Sequence, residues 1–155
     1  MNIDRALSSE IAARLRPRPR NQECGPNSFR ALTELASGYS YDSLRYVEGW
    51  TSGLLRCWHA WVTTPDGRIV DVTPAYLDGA HDYEAVRIYA PTEVLAHLTR
   101  RGAKLPIADA ATIRSLALED GRRRALLSEV GRALEQLAAG RLSPGIMSAG
   151  PTPQT

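Results

Sequence analysis

Three side chains in this 155-residue sequence have the types and order of a nucleophile, a base and an orienting acid: Cys24, His59 and Asp71. A thiolate can attack a carbonyl carbon, an imidazole can move the protons, and a carboxylate can fix the imidazole tautomer. The trio therefore points to acyl transfer. Cys24 opens the segment QECGPNSFRALTELASG, in which Pro26 suits a first helical turn, Phe29, Leu32 and Leu35 share a face, and Gly38 suits the position after the last turn. At a helix start, unpaired backbone N–H groups and the helix dipole stabilise a thiolate and can hold a developing oxyanion.

His59 and Asp71 lie in CWHAWVTTPDGRIVDVT, which reads as two apolar strands around a tight turn. In Thr64-Pro65-Asp66-Gly67 the proline suits the second position of a type I turn. The glycine suits the left-handed position of a G1 bulge, so the loop is expected to be residues 65–67. That register sets Thr64 opposite Arg68, Trp61 opposite Asp71 and His59 opposite Thr73. Residues opposite one another share a sheet face, so His59 and Asp71 project from one side as diagonal neighbours. Their backbones are then about 7–8 Å apart, close enough for an imidazole and a carboxylate to hydrogen-bond.

Other residues are weighed against these three. Asn27 lies one turn into the helix from Cys24, near enough to touch the site, although satisfying local backbone is the better reading for a first-turn asparagine. Trp58 and Trp61 alternate across the strand, so Trp61 is expected to wall a pocket beside His59 or to belong to the core. Glu48 and Trp50 in YVEGW either line a substrate groove or sit on a solvated edge strand. Cys57 shares the face of His59, but a mid-strand thiol lacks the helix start that activates Cys24. A cross-link between Cys24 and Cys57 is a possible redox gate. Cys24, Cys57, His59 and His81 could also be read as zinc ligands, but no paired C-x-x-C or H-x-x-x-H unit is present, so no metal and no cofactor is expected.

The elements that position these residues follow from periodicity. Ile3, Leu7, Ile11 and Leu15 repeat as one face of a helix ending before Pro17, and residues 17–21 form a stiff loop into the Cys24 helix. From Ser43, LRYVEGW, LLRCWHAWVTT, GRIVDVT and YEAVRIYA predict three or four antiparallel strands. Beyond Pro91 helices return: one capped by Thr92 and stopping at Gly102, then two about residues 108–120 and 122–139. The last carries Leu126, Leu127, Val130, Leu134 and Leu137 on one stripe, for packing on the sheet or for a partner. The expected architecture is α+β, one domain over residues 1–139 with helices covering the sheet, then a disordered tail over 140–155 rich in Gly, Pro and Ser.

Composition narrows the function classes. The net charge of +2 is carried almost wholly by arginine, with Lys104 the only lysine, and is too mild to imply nucleic acid. No stretch approaches the ~20 apolar residues of a membrane span and no secretion signal is visible, so a cytoplasmic protein with free thiols is expected. The oligomeric state is open.

The runs ECGPNSFRAL, YVEGW, HAWV and GRIVDVT, in this order, resemble the core of the transglutaminase-like branch of the papain-like cysteine proteases. They are also similar to small bacterial and phage proteins with Cys-x-x-Asn, Tyr-Val-Glu-Gly and His-Ala-Trp. The resemblance covers roughly residues 20 to 90, with a helical extension over 91–139 outside it. It implies a nucleophile at a helix N-terminus packed on a small antiparallel sheet, with Cys24 as nucleophile, His59 as general base and then acid, and Asp71 holding the imidazole. The activity it implies is a peptidase, amidase, deamidase or transglutaminase acting on a peptide or protein through a thioester; the alternative is an inactive fold of this type retained as a protein-binding module. Two departures stand out. Gln22 lies only two residues before Cys24, where papain-type enzymes place their oxyanion glutamine further upstream, and Val72 stands where relatives often have proline.

Overall fold

The computed structural model describes residues 3–52, 56–79, 81–100 and 102–139. The tail over 140–155 lies outside the described residues. The chain divides into two compact units, the first ending at Asp109 and the second beginning at Ala110.

In the first unit, helices α1 (Arg5–Arg14) and α2 (Cys24–Leu35) precede the strands β1 (Arg45–Ser52), β2 (Arg56–Thr63) and β3 (Ile69–Val70). The short helix α3 (Pro74–Leu77), strand β4 (Asp82–Tyr89) and helix α4 (Pro91–Leu98) follow. The strands form one small antiparallel sheet in the order β3-β2-β1-β4, so the class is α+β. β1 is central. Its placement overturns the edge-strand reading of YVEGW: six consecutive residues, 46–51, are buried.

Alternation along β2 splits the core in two. Tyr46, Ala60, Val62, Val70 and Val72 pack against Ile11 and Leu15 of the first helical segment, Ala31, Leu32 and Leu35 of α2, and Val94 of α4. Val47, Trp61, Ile69 and Tyr83 form a second cluster on the opposite face. The cover on the first face thus comes chiefly from helices that precede the sheet, where the sequence pattern had suggested those that follow it. Ala60 leaves room for α2 to approach, and Ser28 Oγ of α2 donates to its carbonyl at 2.8 Å.

The hairpin has the register that its turn dictates. Val62 pairs with Val70 and Thr63 with Ile69, the Thr64 and Gly67 amides close the loop onto Arg68 O and Thr64 O, and Gly67 takes φ +80°. Gly49 has a different task. The β1–β4 register shifts between Glu48 and Gly49, and a Cβ at position 49 would lie 2.1 Å from the carbonyl oxygen of Glu84.

Three helix boundaries differ from the sequence reading. Gly38 does not take a left-handed φ, and α2 closes through bonds from Ala36. Thr92 is not the cap of α4; Ala90 holds that position and its N–H donates to the Glu93 carboxylate at 2.6 Å. In the second unit, α5 (Ala110–Ala138) runs unbroken through Gly121, where two helices were expected. A glycine costs about 1 kcal/mol relative to alanine, and the surrounding Arg, Ala, Leu and Glu residues outweigh that. Leu126, Leu127, Val130 and Leu134 of α5 are exposed.

Candidate active site

Cys24 is the first residue of α2 and is partly buried. The approach to it is tightly built. Gln22 takes φ +65°, a conformation that costs a non-glycine residue about 1 kcal/mol. Asn27, fully buried one turn in, donates to Arg20 O at 2.7 Å and to Thr73 Oγ1 at 3.4 Å. Asn27 is therefore a clamp on the 17–23 loop, which is the local-backbone role. Gln22 is exposed and makes no hydrogen bond among the described residues.

Glu23 makes no side-chain cap bond, Pro26 has no N–H, and the Asn27 N–H is bonded to Glu23 O. The first-turn amides that remain for an acceptor are those of Cys24 and Gly25. Gly25 is required here: a Cβ would lie 2.7 Å from the Leu105 and Pro106 backbone, so the chain from 105 to 108 passes directly over the helix start.

His59 and Asp71 are both buried, and His59 Nε2 lies 2.6 Å from Asp71 Oδ2. Asp71 falls just after β3, so its carboxylate is fixed by other contacts. The Thr73 N–H donates to Oδ1 at 2.9 Å, and Tyr83 OH donates to Oδ2 at 2.9 Å. Its own N–H donates to Ser8 Oγ of α1 at 3.1 Å. Burial pushes the Tyr83 phenol well above its usual pKa and the adjacent Asp71 charge adds to this, so the phenol stays a neutral donor.

A nucleophile acting with His59 would be expected to face the His59 side of the sheet, yet α2 packs on the face that carries Ala60 and Val62. The two meet at an edge. β3 stops at Val70, so beside His59 β2 is paired with β1 through Gly49 but is open on its β3 side, and the Asn27–Thr73 bond holds the start of α2 at that opening. Cys24 lies near enough to the imidazole there to favour its protonated form. With Nε2 taken by Asp71, the nitrogen left for Cys24 is Nδ1. Burial lowers the imidazole pKa, but hydrogen bonds and charge from Asp71 and Cys24 raise it further, and the result is about 9.

Trp61 is fully buried and packs edge-on against Tyr83 with centroids 5.1 Å apart, so it backs the site and walls no open pocket. Glu48 is also fully buried. It accepts from the amides of Ile107 and Ala108, the latter at 3.0 Å, and thereby ties down the segment over the Cys24 helix start. Trp50 packs edge-on against Trp58 at 5.1 Å, with the Arg56 guanidinium over its ring. Neither Glu48 nor Trp50 is the groove-lining residue expected. The buried position of β1 and its register shift account for the whole YVEGW run.

Sequence reasoning missed Ser8, Tyr76 and Tyr83. Tyr76 of α3 stacks on the His59 ring, centroids 3.9 Å apart and planes 23° from parallel. Among the described residues, no three His, Cys, Asp or Glu side chains converge as a metal site requires, and no helix is long and apolar enough to cross a membrane.

No family model, curated protein or solved structure matches this chain.

Proposed function

We propose that this protein is a cysteine-dependent acyl-transfer enzyme of the papain-like, transglutaminase-like type, acting on a peptide or protein carbonyl. The observation that carries the reading is a single buried imidazole, tied through Nε2 to Asp71 at 2.6 Å, with a thiol at a helix N-terminus near enough to favour its protonated form. A pKa of about 9 keeps that imidazole protonated at neutral pH, which suits a thiolate–imidazolium pair.

The Cys24 thiolate attacks the carbonyl carbon, and the developing oxyanion is held by the Cys24 and Gly25 amides. His59 gives its Nδ1 proton to the leaving amine as the C–N bond breaks, leaving a Cys24 thioester and a neutral imidazole. The imidazole then takes a proton from water or an acceptor amine as it attacks the thioester. Release of acid or amide restores thiolate and imidazolium. Asp71 holds the ring and its charge throughout.

The test is acylation of the intact chain by an activated ester such as p-nitrophenyl acetate, read by intact mass and peptide mapping at pH 7. Cys24 is expected to acylate much faster than Cys57, and His59→Ala to abolish the difference. Equal slow acylation of both thiols, unaffected by His59→Ala, overturns the reading.

A further inference from the structure

We propose that Tyr76 is a positioning residue for His59, locked in that role by Cys57. This rests on the acyl-transfer reading of the site. The segment that supplies Asp71 also supplies Tyr76: Thr73 N–H bonds Asp71 Oδ1, and Tyr76 N–H bonds Thr73 O at 2.9 Å as α3 begins. The phenol ring then lies flat on one face of the imidazole.

Farther off, Trp61 stands nearly parallel to the imidazole at 6.4 Å and Tyr83 tilts toward it at 6.5 Å. The hydroxyl at the far end of Tyr76 is anchored 2.8 Å from Cys57 Sγ and 3.4 Å from Thr51 Oγ1, and Cys57 and Thr51 lie 3.3 Å apart. His81 leans on the outer face of Tyr76, centroids 4.6 Å apart.

Two consequences follow from that geometry. A ring covered on its face cannot swing out of line with Asp71 without displacing Tyr76, so the Nδ1 edge stays aimed at Cys24. An aromatic face against an imidazolium also attracts the charged form, which opposes the effect of burial on it. Cys57 thus has a task beside the nucleophile: its sulfur holds the hydroxyl that sets the ring that sets the base.

The groups that bear on His59 from the surrounding elements are Asp71, Cys24 of α2, Cys57 of β2, Tyr83 of β4, Tyr76 of α3, His81, and Arg5 of α1 acting on Tyr83. The following comparison changes only the Tyr76 ring and its anchor at Cys57. Tyr76→Leu, Tyr76→Phe and Cys57→Ala are made in the full chain, with the His59 midpoint read by NMR titration and the iodoacetamide rate at Cys24 read by peptide mapping at pH 6.

Tyr76→Leu is expected to lower the His59 midpoint by about one unit and to slow Cys24 alkylation about tenfold. Tyr76→Phe, which keeps the ring and loses the anchor, and Cys57→Ala are both expected to fall between that variant and the native chain. A native midpoint and native rate in Tyr76→Leu overturn the proposal. Should Tyr76→Leu not fold, native values in both Tyr76→Phe and Cys57→Ala do the same. An inert Cys24 in the native chain defeats the acyl-transfer reading instead, and the NMR midpoints then still decide whether Tyr76 sets His59.

Discussion

Replacing Asp71 with asparagine changes a single heavy atom and tests the whole proton arrangement. In the native chain the buried His59 has a pKa of about 9, held up by Asp71 and Cys24 against burial, the largest influence on it. Asparagine brings no charge; with its oxygen kept on the Thr73 N–H, its NH2 group faces Nε2 and cannot accept a hydrogen bond from it. The ring then turns to the tautomer in which Nε2 accepts and Nδ1 carries the hydrogen, the wrong arrangement for accepting a proton beside Cys24. With burial less opposed, the midpoint is expected to fall by about two units, on the order of 3 kcal/mol between the two protonation states. At pH 8 the protonated fraction then drops from about nine-tenths to about one-tenth. On the proposed acyl-transfer reading, loss of the orienting acid is expected to lower kcat by about 10⁴. The assay is a proton NMR titration of the imidazole, assigned by its loss in His59→Gln, with near-UV circular dichroism to confirm the native fold. A folded Asp71→Asn chain whose His59 still titrates near 9 refutes the reasoning, because the carboxylate would then not be what holds the proton.

Three further outcomes are expected. The His59 pKa is raised in the fold, so its contribution to stability is fully present below about pH 6.5 and is lost as pH rises through about 9; urea midpoints should fall across that window in the native chain, and that part of the fall should vanish in His59→Gln. Glu48→Ala leaves the Ile107 and Ala108 amides without their acceptor and should cost about 2–4 kcal/mol, with hydrogen-exchange protection lost at those two amides; unchanged protection would show that another group holds the segment. Gly49→Ala should destabilise by about 2 kcal/mol or more because its Cβ meets the Glu84 carbonyl, whereas Gly38→Ala, with open space around it, should be neutral or slightly stabilising; equal thermal midpoints for the two variants contradict the packing described.

What the sequence made legible was local. The Thr-Pro-Asp-Gly turn sets a register through its own backbone preferences, and that register carries His59 and Asp71 to one side without help from the rest of the chain. The Cys24 helix start is legible for the same reason, since Pro26 and the Phe29, Leu32 and Leu35 face lie within about three turns of it. What was illegible depends on distant partners. Glu48 reads as a groove or surface residue until residues 107–108, some sixty positions on, supply the amides that bury it. Tyr83 and Ser8 are unremarkable in type, and only tertiary packing brings them to Asp71 from β4 and from α1. The face on which α2 packs was also hidden, because β3 is only two residues long and periodicity does not reveal where a ladder stops.

The three-residue loop of the hairpin bears on how this chain can tolerate change in length. Exposed turns are where proteins usually accept insertions and deletions. Here, removing one of residues 65–67 would slide the 68–73 segment by one position against β2, and a one-residue slip exchanges the faces of a strand. Asp71 would turn away from His59 and Val72 would take its place. An exposed turn that touches neither thiol nor imidazole is therefore as sensitive to length as the site itself, and substitutions within it should be tolerated far better than indels.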